Sequence, residues 1–317
     1  MVIDMKKTIL VALGGNALLR SGEKGTISEQ ESNAEKTCAF LLPLIEQDYG
    51  LVITHGNGPQ VGNIVLAHEM ASSFIPQLPL DVYVADSEGR IGYFMQQALL
   101  NLLRAKHVDK YVVTMITQVL VNHNDPAFKN PTKPIGPFYT KDEAKKFEKE
   151  KSWKMMEQKG KGWRRAVPSP KPVKVVQRHM VRDLVCQGHI VIAAGGGGIP
   201  IWKKSDGQYE GIEAVVDKDL ASSVLAIHIS ADIFIILTEE SKVALNYKQP
   251  DEKKISHMNA GEAKKYLEEG HFPPGSMGPK IEAALAYLKE VDKKVIITSP
   301  ESLINALDGK DGTTITR

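Results

Sequence analysis

Short runs of continuous apolar residues alternate along this chain with longer stretches in which apolar residues recur every three or four positions. The first run, Thr8-Ile9-Leu10-Val11-Ala12-Leu13, is too short for a buried helix and has almost no polar position, the pattern of a strand covered on both faces. A serine start signal, near-helical apolar spacing and a stop at Gly50 predict a helix from Ser28 to about Asp48. Leu51-Val52-Ile53-Thr54 predicts a second strand, closed by the turn His55-Gly56-Asn57-Gly58 and followed by a helix from Val61 to about Ser72. Ile91, Phe94, Met95, Ala98, Leu99 and Leu102 mark one face of a helix from Arg90 to about Lys106, and the β-branched run Tyr111 to Val121 predicts one strand.

From Asn124 to Pro172 the pattern fails. Asn130-Pro131-Thr132-Lys133-Pro134-Ile135-Gly136-Pro137 is too proline-dense for a central strand, and a charged helix-like run follows it. This segment is predicted to project from the main body as a small inserted subdomain. From about Val173 the alternation resumes. Strands are predicted at 190–194, 233–238 and 295–298, with helices from Leu220 to Ile229 and from 275 to about 290. Strands alternating with helices predict an α/β fold with a mostly parallel sheet covered on both faces.

Composition narrows the function without naming it. The 317 residues suffice for one large domain or two smaller ones, and a formal charge of +2 gives no reason to expect a nucleic-acid partner. No apolar run approaches the roughly 18 residues of a membrane span, and the first residues lead straight into a strand, so a cytoplasmic protein is expected. Cys38 and Cys186 stand far apart, each in a predicted helix, and are expected to be buried free thiols. The nine histidines form no metal-binding spacing, and no metal ligand among the side chains is predicted.

The chemistry gathers at the turns. Glycine-rich corners at 14–16, 56–58, 195–198 and 275–278 follow predicted strands or open predicted helices. In an open α/β sheet such corners lie at the carboxyl edge of the strands, where backbone N–H groups and helix N-termini favour anions. One corner is ordinarily structural; four at one edge predict a site that holds several phosphates. The G-x-x-x-x-G-K-[ST] loop and the protein-kinase motifs are absent, so the phosphate chemistry is of another design. Three lysines occupy rigid contexts: Lys133 between prolines, Lys218 between Asp217 and Asp219, and Lys280 after Pro279 at a helix start. Phosphoryl transfer needs positioning and charge neutralisation more than covalent chemistry, and converging lysines supply both.

These motifs resemble those of the carbamate kinases, a branch of the amino-acid kinase family. The matching elements are Leu13-Gly14-Gly15-Asn16-Ala17, Thr54-His55-Gly56-Asn57-Gly58-Pro59-Gln60-Val61-Gly62, Asn130-Pro131-Thr132-Lys133-Pro134, Gly162-Trp163-Arg164-Arg165, Asp217-Lys218-Asp219 and Gly275-Ser276-Met277-Gly278-Pro279-Lys280. They run in family order through essentially the whole chain. The resemblance implies a three-layer αβα sandwich over 1–317, with an acceptor-binding part to about 172, a nucleotide-binding part from about 173, and a protruding subdomain at 124–172. It also implies a homodimer and reversible phosphoryl transfer between ATP and carbamate, giving ADP and carbamoyl phosphate, with Mg²⁺. By motif, Gly14, Gly15, Asn16, Gly56, Asn57 and Gly58 would hold the acceptor. Lys133 would reach in from the protruding subdomain, and Lys218 and Lys280 would contact the transferred phosphate and the nucleotide, with Asp219 orienting Lys218; these four would be the catalytic residues. Gly195, Gly196, Leu237, Thr238, Tyr247, Met277, Gly278 and Lys280 would lie at the nucleotide.

The chain departs from the family pattern in places. Ala85-Asp86-Ser87-Glu88-Gly89 stands where the family usually has Ala-Met-Ser-Gln-Gly, and Glu239 and the stretch Gln158 to Lys161 also differ. None of these changes removes a lysine named above. Two other readings differ in class or substrate: a relative that phosphorylates a larger carboxylate, and a non-catalytic paralogue that binds carbamoyl phosphate. The first lacks any visible group for an α-amino acid, and the second would be signalled by loss of a lysine.

Overall fold

The computed structural model describes residues 7–14, 19, 22–158, 160–273 and 275–317. The chain opens with β1 (Thr8–Ala12), α1 (Ile27–Glu46), β2 (Gly50–Thr54), α2 (Gly58–Met70), α3 (Leu80–Ala105), β3 (Val112–Thr114) and β4 (Gln118–Val121). A middle portion holds β5 (Lys133–Tyr139), α4 (Lys141–Lys151), β6 (Lys154–Gln158), β7 (Gly162–Val167) and β8 (Pro172–Val175). Next come α5 (Arg178–Cys186), β9 (Ile190–Ile192), β10 (Ile199–Lys203), β11 (Tyr209–Gly211), α6 (Lys218–His228), β12 (Ile233–Leu237), β13 (Val243–Leu245) and β14 (Lys253–Ile255). The chain closes with β15 (His257–Asn259), α7 (Ala260–Glu268), α8 (Met277–Glu290), β16 (Lys294–Thr298), α9 (Leu303–Leu307) and β17 (Thr313–Thr316).

The main sheet runs β15-β17-β16-β12-β1-β2-β9-β3, and every pairing is parallel except β16 with β17. Strand alternation sorts its side chains into two layers. Leu10, Ala12, Val52, Phe234 and Ile236 pack with α5, α6, α7 and α8, whereas Ile9, Val11, Leu51, Ile53, Ile233 and Ile235 pack with α1, α3 and α9. Both faces are therefore buried, as a period-2 strand inside a three-layer sandwich requires. Each fully buried Val, Leu, Ile or Phe among them contributes about 1.5–3 kcal/mol relative to exposure. The expected αβα sandwich is the fold observed.

Three smaller sheets occur among the described residues: β11-β10-β4-β8, the antiparallel pair β13-β14, and β5-β7-β6, an antiparallel sheet over the inserted segment. The last rests on α2 and α3 through a third apolar cluster that includes Val61, Ile64, Tyr83, Val84, Ile135 and Val167. The contact is close because it is made by glycines: a Cβ on Gly62 would lie 1.8 Å from the Gly136 Cα. Helix and strand meet backbone to backbone there, which any side chain would prevent.

Several local expectations change. Helix α3 starts at Leu80, ten residues before the predicted Arg90, and Leu80, Tyr83, Val84, Ser87 and Ile91 continue its buried stripe. Pro79 supplies no side-chain cap; instead the Leu80 N–H donates to Glu213 Oε1 at 2.8 Å, a start signal that lies 133 residues away. The α1 start is Thr26 in a capping box with Glu29. The single strand predicted at 111–121 is two, because the chain leaves the main sheet after β3 and joins the β10 sheet as β4. Cys38 is buried as expected, but Cys186 is exposed at the end of α5, whose buried stripe is Val181 and Val185.

Candidate active site

Asp217 is the N-cap of α6. Its Oδ1 accepts from the Asp219 N–H at 2.9 Å and the Leu220 N–H at 3.4 Å, the role for which a short carboxylate is favoured at a helix start. That leaves Oδ2 free to accept from Lys133 Nζ at 2.5 Å, across from β5. Two residues on, Asp219 is buried and divides its oxygens between two lysines: Lys218 Nζ at 2.5 Å on Oδ1 and Lys280 Nζ at 3.1 Å on Oδ2. Helices α6 and α8 pack against each other, which delivers Lys280 from the first turns of α8. Three ammonium groups thus gather at one helix N-terminus, itself positive by its dipole.

Electrostatics follow from burial and pairing. Burial alone would raise the Asp219 pKa, but the ammonium groups of Lys218 and Lys280 overcome it and hold the carboxyl well below its ordinary range. Asp217 is likewise lowered, with burial opposing and Lys133 prevailing. Lys218 goes down, since burial outweighs the pull of Asp219 and Lys280 repels it further. A buried cation in a cluster of like charges is one whose charge is costly until an anion arrives.

The opposite wall is the turn after β2. Gly56, Asn57 and Gly58 line the same cleft of about 220 Å³ as Lys133, Lys218, Asp219, Lys280, Gly196 and Gly275. Among the described residues, nothing lies within 4 Å of the position a Cβ on Gly58 would take. Asn57 is buried and donates through Nδ2 to Ser87 Oγ at 2.7 Å, and Ser87 Oγ donates to the Val84 carbonyl at 2.7 Å. The glycine turn after β9 closes behind it. Gly196, Gly197 and Gly198 all have positive φ, and a Cβ on Gly196 would fall 2.2 Å from Asn57 Nδ2. Glycine is needed here for conformation and for space. Finally, Ser222 Oγ donates to the Lys218 carbonyl at 2.5 Å and lies 2.6 Å from Thr54 Oγ1, tying the first turn of α6 to the end of β2.

Of the residues singled out in the sequence, Lys133, Lys218, Asp219, Lys280, Gly56, Asn57, Gly58 and Gly196 line this cleft together. Gly14, Gly195, Leu237, Thr238, Tyr247, Met277 and Gly278 are not among its lining residues. Gly14 abuts the end of β12, where a Cβ would come within 3.0 Å of the Leu237 carbonyl oxygen, and Tyr247 donates to Glu240 Oε1 at 2.6 Å. Gly15 and Asn16 lie outside the described residues. Sequence reasoning gave no role to Asp217, although an aspartate directly before a helix start is a legible capping signal. It also gave none to Thr117, whose buried partnership with α3 leaves no local trace.

A model of the amino acid kinase family matches residues 7–299. The carbamate kinase of Thermococcus kodakarensis is 48% identical over 314 residues, 98% of this chain and 99% of that protein. That of Pyrococcus horikoshii is also 48% identical over 314 residues, covering 98% of this chain and 100% of the relative. The carbamate kinase from Giardia lamblia bound to AMP-PNP has a TM-score of 0.91 and 41% identity, covering 98% of both chains. With this agreement in sequence and fold, the chain belongs to the amino acid kinase family. Within that family, the full-length relatives named above are carbamate kinases.

Proposed function

We propose that this chain catalyses reversible phosphoryl transfer between ATP and carbamate, giving ADP and carbamoyl phosphate, in the cleft between the α6 N-terminus and the 56–58 turn. The observation that carries the reading is the gathering of Lys133, Lys218 and Lys280 at Asp217 and Asp219, in one cleft with the glycine turn 56–58. Carbamate is already an anionic oxygen nucleophile, so the reaction requires no general base. The barrier is the approach of two anions and the charge spread over the transferred group, and preorganised cations address both.

In this reading Gly14, Gly15, Asn16, Gly56, Asn57 and Gly58 hold the acceptor. Lys218 and Lys280 neutralise the transferred phosphoryl oxygens, and Asp219 fixes both ammonium groups. Lys133 closes over the acceptor from the β5 sheet. Gly195, Gly196, Leu237, Thr238, Tyr247, Met277 and Gly278 serve the nucleotide from the part of the chain beyond about residue 173. Both cleft carboxylates are committed to lysines, and among the described residues no cluster of three ligating side chains occurs. That donor set fits Mg²⁺ carried on the nucleotide phosphates with its own waters, rather than caged by protein. When bound, the ion would offset phosphate charge.

No helix among the described residues is long and apolar enough to cross a membrane, and a cytoplasmic site of action is part of the proposal. So is a homodimer. Exposed Tyr93 lies one turn from Gly89 on α3, and Ile116, also exposed, abuts Gly89, an apolar patch that a second copy would cover. Sedimentation at micromolar concentration tests the dimer. The function is tested by coupling ATP formation from ADP, Mg²⁺ and carbamoyl phosphate to a dehydrogenase readout. Turnover well above the uncatalysed background is expected; background-level ATP overturns the assignment.

A further inference from the structure

Behind the cleft sits a carboxylate for which the reaction as described has no use. Glu88, on α3, is 1% exposed. Three donors converge on it: the Thr117 hydroxyl and the Gly195 N–H, at 2.9 Å, on Oε1, and the Thr117 N–H on Oε2 at 3.1 Å. Thr117 Oγ1 in turn accepts from the Ala194 N–H at 2.7 Å. Every hydrogen in this set points toward Glu88 or toward the hydroxyl that serves it, the arrangement that suits an ionised carboxylate. The residues so held, Ala194 and Gly195, begin the turn whose next member, Gly196, lines the cleft and packs on Asn57. Asn57 is held by Ser87, the neighbour of Glu88 on α3.

We propose that Glu88 is a positioning residue that, in its ionised form, locks the 194–196 turn against Asn57 and so sets the cleft geometry for phosphoryl transfer, giving the reaction a dependence on the Glu88 charge. The inference rests on the reading of the cleft as the reaction site. Protonation would replace an acceptor by a donor among three donors and loosen the turn. Burial pushes Glu88 up to about 8 against the pull of its hydrogen bonds to Thr117 and Gly195, so its charge changes within the range where the protein can be assayed. The ionisable group facing it across Gly195, from the β2–α2 turn, is His55, which burial holds down at about 4 and which stays neutral over that range. Lys218, from α6, acts on His55. Asp86 and Arg90, on α3 itself, are exposed, and Thr117 and the 194–195 backbone bring uncharged donors.

The test compares wild type, Glu88→Gln and Thr117→Val in the coupled assay from about pH 6.5 to about 9.5. The kcat ratio of wild type to Glu88→Gln is expected to rise at least about threefold with a midpoint near 8, while the KM ratios stay level. Thr117→Val, which removes a hydrogen bond to the charge, is expected to move the wild-type midpoint upward. A flat ratio, or a midpoint indifferent to Thr117→Val, overturns the inference. Lys218→Ala is run alongside: if it keeps wild-type turnover the cleft reading itself fails, whereas its loss of turnover together with a flat ratio sinks only the role of Glu88.

Discussion

Asp217 and Asp219 stand two residues apart at one helix start, Asp217 binding Lys133 and Asp219 binding its neighbour Lys218 and the distant Lys280, yet the two arrangements differ in what carries them. Lys218 and Lys280 come from α6 and α8, helices packed on the main sheet, and their side chains are 12% and 13% exposed against an Asp219 at 4%. Lys133 comes from a separate three-stranded sheet, and it is 29% exposed against an Asp217 at 15%. One half of the charge cluster is fixed by the core. The other is docked onto it through Gly62, Gly136 and the small cluster around Ile135. The lesson is that charge and position are supplied separately. The buried pair is expensive to assemble and rigid once assembled, while the docked lysine can be removed or displaced with little loss of fold.

The sharpest way to break the comparison is at Asp219. Asp219→Asn leaves two buried ammonium groups facing each other, and the loss of stability should be large, about 3–5 kcal/mol. Denaturant unfolding measures it, and turnover should fall with it. Lys218→Ala should lower kcat by about 10²–10³-fold, the scale of removing one preorganised charge donor. Lys133→Ala should cost comparable activity but only about 1 kcal/mol of stability, because its ion pair is partly open to solvent. Equal destabilisation by Lys133→Ala and Asp219→Asn would erase the distinction between a fixed and a docked half.

Displacement is the next test. In Gly62→Ala the new methyl would meet the Gly136 Cα and N at 1.8 and 2.0 Å, so helix α2 and strand β5 must part. Lys133 moves with β5 while Lys218 and Lys280 stay. A misplacement of about 1 Å typically costs about 10²-fold in rate, and overpacking of this kind about 1–3 kcal/mol in stability. The variant should therefore behave kinetically as Lys133→Ala does, though every lysine is present. Wild-type kcat in Gly62→Ala would mean that the small sheet need not sit where it does.

The same division explains what the sequence revealed. The αβα fold was legible because β1, β2 and β12 are short, nearly continuous apolar runs between amphipathic helices, and that pattern is local. The lysines were legible because rigid neighbours framed them. What stayed hidden was set by distant partners: the start of α3 at Leu80, capped by Glu213, and the break at Thr117, where the hydroxyl and N–H turn to Glu88. Asp86 and Glu88 enter the sequence together, yet one is exposed and the other buried under three donors. Only the fold separates them. The pairing of Lys133 with Asp217, which joins the two halves, spans 84 residues and has no sequence signature beyond the motifs at either end.

The last expected effect lies on the fixed side of the cleft and reads out as acid sensitivity. His55 precedes Gly56 in the proposed acceptor wall and is 1% exposed; its Nδ1 is 3.1 Å from the Gly56 carbonyl oxygen, and its Nε2 has no hydrogen-bond partner among the described residues. Burial lowers its pKa from 6.5 to about 4, the Gly56 carbonyl opposes that shift, and Lys218 adds to it. Above about pH 6.5 the imidazole is neutral in both folded and unfolded chains, and its contribution to stability is complete. As the pH falls from 6.5 toward 4, the unfolded chain takes up a proton that the folded chain refuses. Stability should therefore drop by about 3 kcal/mol across that window and level off below it. The lowered Asp219 carboxyl adds only at the foot of that window, where the unfolded carboxyl begins to take up its proton, and it does so equally in wild type and His55→Gln. Denaturant melts of wild type and His55→Gln at several pH values between 4 and 7 isolate the term. The variant should show a shallower decline, and parallel curves would mean that His55 takes up its proton in the folded state without disturbing the wall it belongs to.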